Sequence, residues 1–496
     1  MENNLWALKF NYQEELMRKT QIAAVGLACA LAVAGAAGCS QEASTDTTGT
    51  ETETTQDANL DLSGQRLTDD DITTSEAYNN SADGEHALTA DGETAEYSQF
   101  TVNKTGEADG DEADFYGSNA AVFATNGATL DLSDAIVTTD GTHANGVFSY
   151  GEGTTTNISH SIIRTSGNCS GGLMTTGGGT MNATNVTAET TGNSSAAIRS
   201  DRGGGDVNVS GGYFTTAGTG SPVIYSTADI SVESAYLEST SSQGVVVEGK
   251  NSVALKGCQL IANNTSKNSD KSDTYQAVMI YQSMSGDASS GTSSFSMDGG
   301  TLTNANGDIF FVNNTACDIT LSGAVITNND ANGVFLRAEA AGWGNEGSNG
   351  GKVNMTAKGQ TIDGDMIVDS VSALNLYLTE GSSFSGAINA SGQAGDVYVE
   401  IDEDSTWTLT DDSYVTSLTC VAGSIDLNGH KLYVNGTEYD GSSASTGEAV
   451  EIVSESSGNG GGMGGEQPGG EGGQGGEQPG GQGGNASGSE PPAKPE

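Results

Sequence analysis

Six side chains in the middle of the chain combine two aromatic rings with charged and amide groups: Tyr281, Arg337, Glu339, Trp343, Asn345 and Glu346. An exposed indole beside such groups can hold a sugar, with the ring stacking on the sugar and the polar groups bonding its hydroxyls. The competing reading is that Trp343 folds down and pins its own loop. A second candidate is the acidic run Asp109-Gly110-Asp111-Glu112-Ala113-Asp114, whose hard oxygens suit Ca²⁺. It lacks the full EF-hand loop, and a solvated turn is the simpler expectation. A third is Arg199-Ser200-Asp201-Arg202, which offers cations to an acidic sugar or forms an ordinary charged turn.

These residues are positioned by a repeat. One pattern recurs nine times between Ala120 and Lys358, beginning at Thr129, Thr155, Thr180, Asp206, Asp229, Ser252, Ser294, Asp318 and Lys352. Counting from the second residue of each, position 1 reads Leu130, Thr156, Met181, Val207, Ile230, Val253, Phe295, Ile319 and Val353. Position 3 is also apolar, from Leu132 to Met355, and position 2 is mostly Asn, Ser or Thr. Alternation with period two predicts a strand with one buried face. Position 6 is mostly small and position 8 apolar again. Each unit is preceded by a further apolar run such as Ala121–Ala124 or Ile309–Val312. Successive starts lie roughly 23 to 26 residues apart where nothing is inserted, a solenoid spacing. The expected fold is all-β: a right-handed single-stranded parallel β-helix with about three short strands per coil, stacked about 4.8 Å apart. An antiparallel sandwich would not need one repeat in fixed register.

Three insertions interrupt the coils: one after Ala262, one after Tyr281 and one after Phe335. The last two leave the same corner of coils two apart, hence about 10 Å from each other. That proximity is what would gather Tyr281, Arg337, Glu339, Trp343, Asn345 and Glu346 into one lateral patch.

The outward columns say less about catalysis. Acid–base chemistry on a glycoside needs paired carboxylates within reach, and no such pair stands out. Glu233 and Lys256 are neighbours at position 4, more simply a surface ion pair. The four histidines are scattered, and no Cys/His spacing suggests zinc, so no metal site and no cofactor is expected, Ca²⁺ aside. Of six cysteines, Cys29 falls in the expected leader and Cys39 directly follows it. Cys169, Cys258, Cys317 and Cys420 remain, and no disulfide framework is expected among them.

The chain of 496 residues carries 17 basic against 65 acidic residues, a net charge of −48, with only 34% hydrophobic residues and 72 glycines. So acidic a surface repels phosphate and argues against nucleic acid. So few apolar residues suit a thin solenoid better than a thick core.

The N-terminal region reads as an address. From Met17 a basic start (Arg18, Lys19) leads into an apolar run and then small residues before a cysteine, the pattern of a secretory signal. Ala36-Ala37-Gly38-Cys39 resembles the lipobox of bacterial lipoproteins, with Ala36 where leucine is commoner. The resemblance implies that Cys39 is diacylated and becomes the mature N-terminus. The division that follows is an upstream extension plus signal peptide over 1–38, a disordered acidic Ser/Thr linker over 39–95, a parallel β-helix over 96–450 and a disordered Gly/Pro/Gln-rich tail over 451–496. Over roughly 100–436 the repeats resemble secreted β-helix adhesins, autotransporter-like passenger domains and the pectin-lyase-like class. That class hosts both enzymes and inert binders.

Taken together, the expectation is a non-enzymatic lipoprotein on the extracellular face of a bacterial cell membrane. Its anchor would be lipid alone, and its β-helix would display a surface for a glycan or another cell-surface or cell-wall ligand, as an adhesin does. The alternative is a polysaccharide lyase or glycoside hydrolase of the pectin-lyase-like class. The leader makes one direct prediction: expressed in a bacterial host, the chain incorporates labelled palmitate, and Cys39→Ala abolishes the label and releases the protein from the membrane fraction.

Overall fold

The computed structural model describes residues 59–266, 271, 274–283 and 285–452. The leader, Cys39, the beginning of the linker and nearly all of the Gly-rich tail lie outside these residues.

The chain is all-β, with long parallel sheets consistent with a parallel β-solenoid. The repeats supply a first sheet of 18 strands and a second of 11. Each repeat pairs with the next in both. Thr129–Thr139 lies beside Thr155–Thr165, then Gly179–Thr190, then Gly205–Thr216. Position 1 stacks as the alternation predicts: Leu130 opposite Thr156, then Met181, Val207, Ile230, Val253, Phe295 and Ile319. All of these but Thr156, which is buried but polar, join one continuous core from Leu88 to Leu432. The ninth repeat departs from the sequence alignment. Ile319 faces Met355, not Val353, a slip of two residues. A slip of two leaves every side chain on its own face of the pleat, so hydrophobic alternation cannot detect it. The slip brings Gln360 to Ala324, where its side chain accepts from the Ala324 N–H (2.8 Å) and donates to the Ala324 carbonyl (2.7 Å).

Position 5 turns the strand. Asp134, His160, Asn185, Gly211, Ser234, Gly257, Gly299 and Gly323 all hold positive φ there. Asn, Asp and Gly are the residues that tolerate this left-handed geometry. Beyond it, the next corner is a ladder of its own. The buried hydroxyls of Thr165, Thr190 and Thr216 donate to the carbonyls of Ser170, Ser195 and Ser221. Those serines donate in turn to the carbonyls of Gly141, Gly167 and Gly192. A Cβ on Gly167 or Gly192 would lie 1.9 Å from the glycine carbonyl of the preceding repeat, so this corner excludes any side chain.

Both ends are finished differently from the middle. At the C-terminal end Trp407 is fully buried, stacked on Phe384 (5.5 Å) and bonded through its indole N–H to the Gly386 carbonyl. The antiparallel pair Leu432–Val434 and Thr437–Tyr439 follows. At the other end, residues 59–95, expected within a disordered linker, are built into the fold. Residues 62–69 run across the outside of successive repeats. The Leu62 N–H donates to Gln259, the Gln65 amide to the Ser234 carbonyl, the Leu67 N–H to Thr187, and Arg66 pairs with Glu189 at 2.7 Å. Glu76–Asn80 then adds a strand beside Thr94–Lys104. Composition missed this because residues 62–69 are ordered by polar bonds to a surface that already exists, and the few apolar residues that follow, such as Leu88 and Ala90, are buried only through strand pairing with the repeats.

Gln360→Ala removes both partners of a buried peptide unit and leaves a void. Its urea midpoint should fall, for a loss of about 2–4 kcal/mol, while the circular dichroism of the folded baseline stays unchanged.

Candidate functional site

The second sheet has two buried faces. Its inward side chains, such as Val147, Ile198 and Val278, belong to the main core. Its outward column runs Phe123, Phe148, Met174, Arg199, Tyr225, Val246, Met279, Phe311 and Arg337 in consecutive register. All but Arg337 are buried. This double burial explains why the runs are continuously apolar instead of alternating. Two covers lie over the column. The helix Asp111–Tyr116, from the acidic run, lays Phe115 and Tyr116 over one part. The insertions after Tyr281 and Phe335 cover the other.

The six residues of the expected patch divide accordingly. Tyr281 and Trp343 do meet, with ring centroids 5.1 Å apart, but each is 2% exposed. The exposed indole expected from the sequence is therefore not there. Trp343 is folded into its own loop, and Asn349 donates to the Trp343 carbonyl at 2.8 Å. Packing wins because the indole finds Tyr281, Phe311 and Met279 already assembled as an apolar floor. Arg337 pairs with Asp308 at 2.6 Å and reaches Glu339 at 3.5 Å. Asn345 and Glu346 sit at the exposed tip of the loop.

Beneath the covers lies a set of charged and hydroxyl groups. Arg199 is 3% exposed, bonds Asp201 at 2.9 Å and lies 3.6 Å from Asp114. Burial alone would lower the pKa of its guanidinium; the two carboxylates more than reverse this, and it is raised. Arg202 pairs with Asp287 and Asp111 and stacks 3.6 Å over the Phe115 ring. Glu248 is 1% exposed and accepts hydroxyls from Tyr225 (2.5 Å), Tyr281 (3.0 Å) and Ser283. Burial pushes its carboxyl up, against the opposing effect of those three hydroxyls. His143 and Cys169 stand at the same turn of successive repeats, beside Asp114. The sequence signal for that pair is their shared place in Thr142-His143-Ala144 and Asn168-Cys169-Ser170. Arg199, Asp201 and Arg202 lie in a run that the sequence singles out, but their meeting with Asp114, Asp111 and Asp287, and that of Glu248 with its three hydroxyls, had no such signal, because those partners are distant in the chain.

The outer face of the first sheet differs. At position 2, Asn157 donates to Asp131, Asn182 to Asn157, Asn208 to Asn182, and the Ser231 hydroxyl to Asn208, at 2.7–3.0 Å. Beside this ladder runs an open groove of about 510 Å³, lined by Asn182, Thr184, Asn208, Ser210, Ser231, Glu233, Lys256 and Asp298. A second hollow, sharing Asn182 and Thr184, continues it toward Glu96. Lys256 bonds Glu233 at 2.9 Å and faces Asp298 on its other side.

Comparison with protein-family models, with curated proteins and with solved structures finds no match to this chain.

Glu248 gives a signed pH dependence. Its folded pKa is raised above the usual glutamate value of 4.5, so its contribution to stability is present below that value. It is lost as the pH rises through the folded value. In urea titrations of wild type against Glu248→Gln, the wild type should lose stability relative to the variant as the pH climbs from 4.5 toward neutrality.

Proposed function

We propose that the chain is a lipid-anchored surface protein whose right-handed parallel β-helix binds an extended, hydroxyl-rich polymer, a glycan, along the groove of the first sheet. The observation that carries this reading is the unbroken row of side-chain amides and a hydroxyl from Asn157 to Ser231, begun by the Asp131 carboxylate and exposed or half-buried, beside an open groove spanning several repeats. Such groups offer both donors and acceptors at the spacing of adjacent strands, and a polymer of hydroxyls can match many of them at once. The tether through Cys39 and display outside the cell belong to the same proposal and rest on the leader. The surface patch of Arg337, Glu339, Asn345 and Glu346, with Tyr281 and Trp343 beneath it, supports the loop and is a weaker site for a sugar, since neither ring is offered to solvent.

One observation favours the enzymatic alternative. Glu233 and Asp298 flank Lys256 on strands two apart in the groove, which sets the carboxylates roughly 10 Å apart, close to the separation used in inverting glycoside hydrolysis.

The two readings separate in one set of measurements. On a glycan array, Asn182→Ala combined with Asn208→Ala should weaken the best ligand roughly thirtyfold, the loss of about 1 kcal/mol per amide, while Trp343→Ala chiefly lowers stability. A double variant that binds like wild type removes the groove from the reading. Turnover of polygalacturonate or another polymer that is abolished by Asp298→Asn establishes the enzyme instead.

A further inference from the structure

Three donor atoms of different chemistry meet where the acidic helix crosses the turns of the second sheet. An oxygen of Asp114, a ring nitrogen of His143 and the sulfur of Cys169 lie within 4.8 Å of one another. His143 is 6% exposed, and its Nδ1 is buried without a well-directed hydrogen bond, 3.3 Å from Asp114 Oδ1. Its Nε2 points toward Asp109, 3.7 Å away, whose side chain is fully exposed. Cys169 is partly exposed, which leaves a way in from solvent.

We propose that Asp114, His143 and Cys169 form a binding site for a borderline divalent transition metal of the Zn²⁺ type, with the ion on His143 Nδ1 beside Asp114, a water in the fourth position and Asp109 facing the other ring nitrogen. The donor set decides the class of ion. Thiolate and imidazole select Zn²⁺ or Co²⁺ over the hard cations, which take oxygen alone. Donors around a tetrahedral zinc stand roughly 3.3–3.8 Å apart for bonds of about 2.0–2.3 Å, so small side-chain rotations from the present spacing suffice. Charge agrees. Asp114, Asp201 and a deprotonated Cys169 bring three negative charges against the single positive charge of Arg199, which lies 3.6 Å from Asp114 and 2.9 Å from Asp201. A dication bound at the three donors makes the set neutral, and Arg199 keeps Asp201 as its closest partner when Asp114 turns to the metal. The ion would tie the helix Asp111–Tyr116 to two successive repeats and so fasten the cover over this part of the second sheet. The site is independent of the groove and of any glycan.

The test uses the purified full chain, stripped with a chelator and titrated with Co²⁺, then with Zn²⁺. A thiolate-to-cobalt charge-transfer band in the near ultraviolet, bleached by Zn²⁺, together with a rise in Tm on adding Zn²⁺, is the expected result. Cys169→Ser should abolish the band and weaken Zn²⁺ binding by at least about tenfold, and His143→Asn should weaken it similarly. Both substitutions suit the left-handed backbone at these positions, since Ser194 holds it one repeat further on. If either variant departs from the wild-type circular dichroism, Asp114→Asn on the helix carries the same measurement, with the same expected weakening. Cys420→Ser, far along the solenoid, should leave the band unchanged. Absence of the band, its survival in Cys169→Ser, or stabilisation by Ca²⁺ and not by Zn²⁺ would each overturn the proposal.

Discussion

Backbone pairing between successive repeats is the constraint on which everything else rests. Each strand of the repeat region satisfies its peptide groups on neighbours one repeat before and one repeat after, in parallel register. That register stacks like on like. An apolar residue falls above an apolar residue, an asparagine above an asparagine, and a glycine above a glycine. A core built this way is thin and long, which is why a chain with 34% hydrophobic residues can sustain it. Cooperativity comes from the interfaces between repeats, since no single repeat can bury its own apolar face.

The corners make the stacking possible. At position 5 the chain turns with a residue in the left-handed region, and at the Thr/Ser/Gly corner the backbones approach too closely for a Cβ. These are steric requirements, which the hydroxyl bonds of Thr165, Thr190 and Thr216 reinforce from inside. Where the pattern loosens, a different device serves. Gln360 fills the place with a side chain that bonds both sides of one peptide, and Trp407 closes the far end with bulk.

The two sheets use their outer faces in opposite ways. The first leaves an amide and hydroxyl ladder beside an open groove. The second buries its outer face under a helix and two loops, and there it collects Arg199, Asp201, Asp114 and Glu248 at low exposure. Buried charges are tolerated only when paired or hydrogen-bonded. Arg199 meets that condition with two carboxylates and Glu248 with three hydroxyls. Breaking either set costs more than the pairs contribute, so these groups fix how the covers seat.

What the sequence determined by itself was everything that obeys the period. The strands, the inward columns, the in-register stacking of eight repeats and the shared corner of the two long insertions follow from alternation and spacing, because a repeat fixes each residue relative to its copies. Tertiary structure decided the rest. The slip of two at Met355 is invisible to a period of two. The burial of Trp343 depends on an apolar floor contributed by other repeats. Residues 62–69 are held by polar bonds to strands far away in the chain, and Leu88 and Ala90 enter the core by pairing with Val122–Thr125; composition carries no trace of either. The meeting of Asp114 with His143, Cys169 and Arg199 lies between these cases. The repeat stacks His143 and Cys169, but only the path of the helix across that turn brings the carboxylate to them.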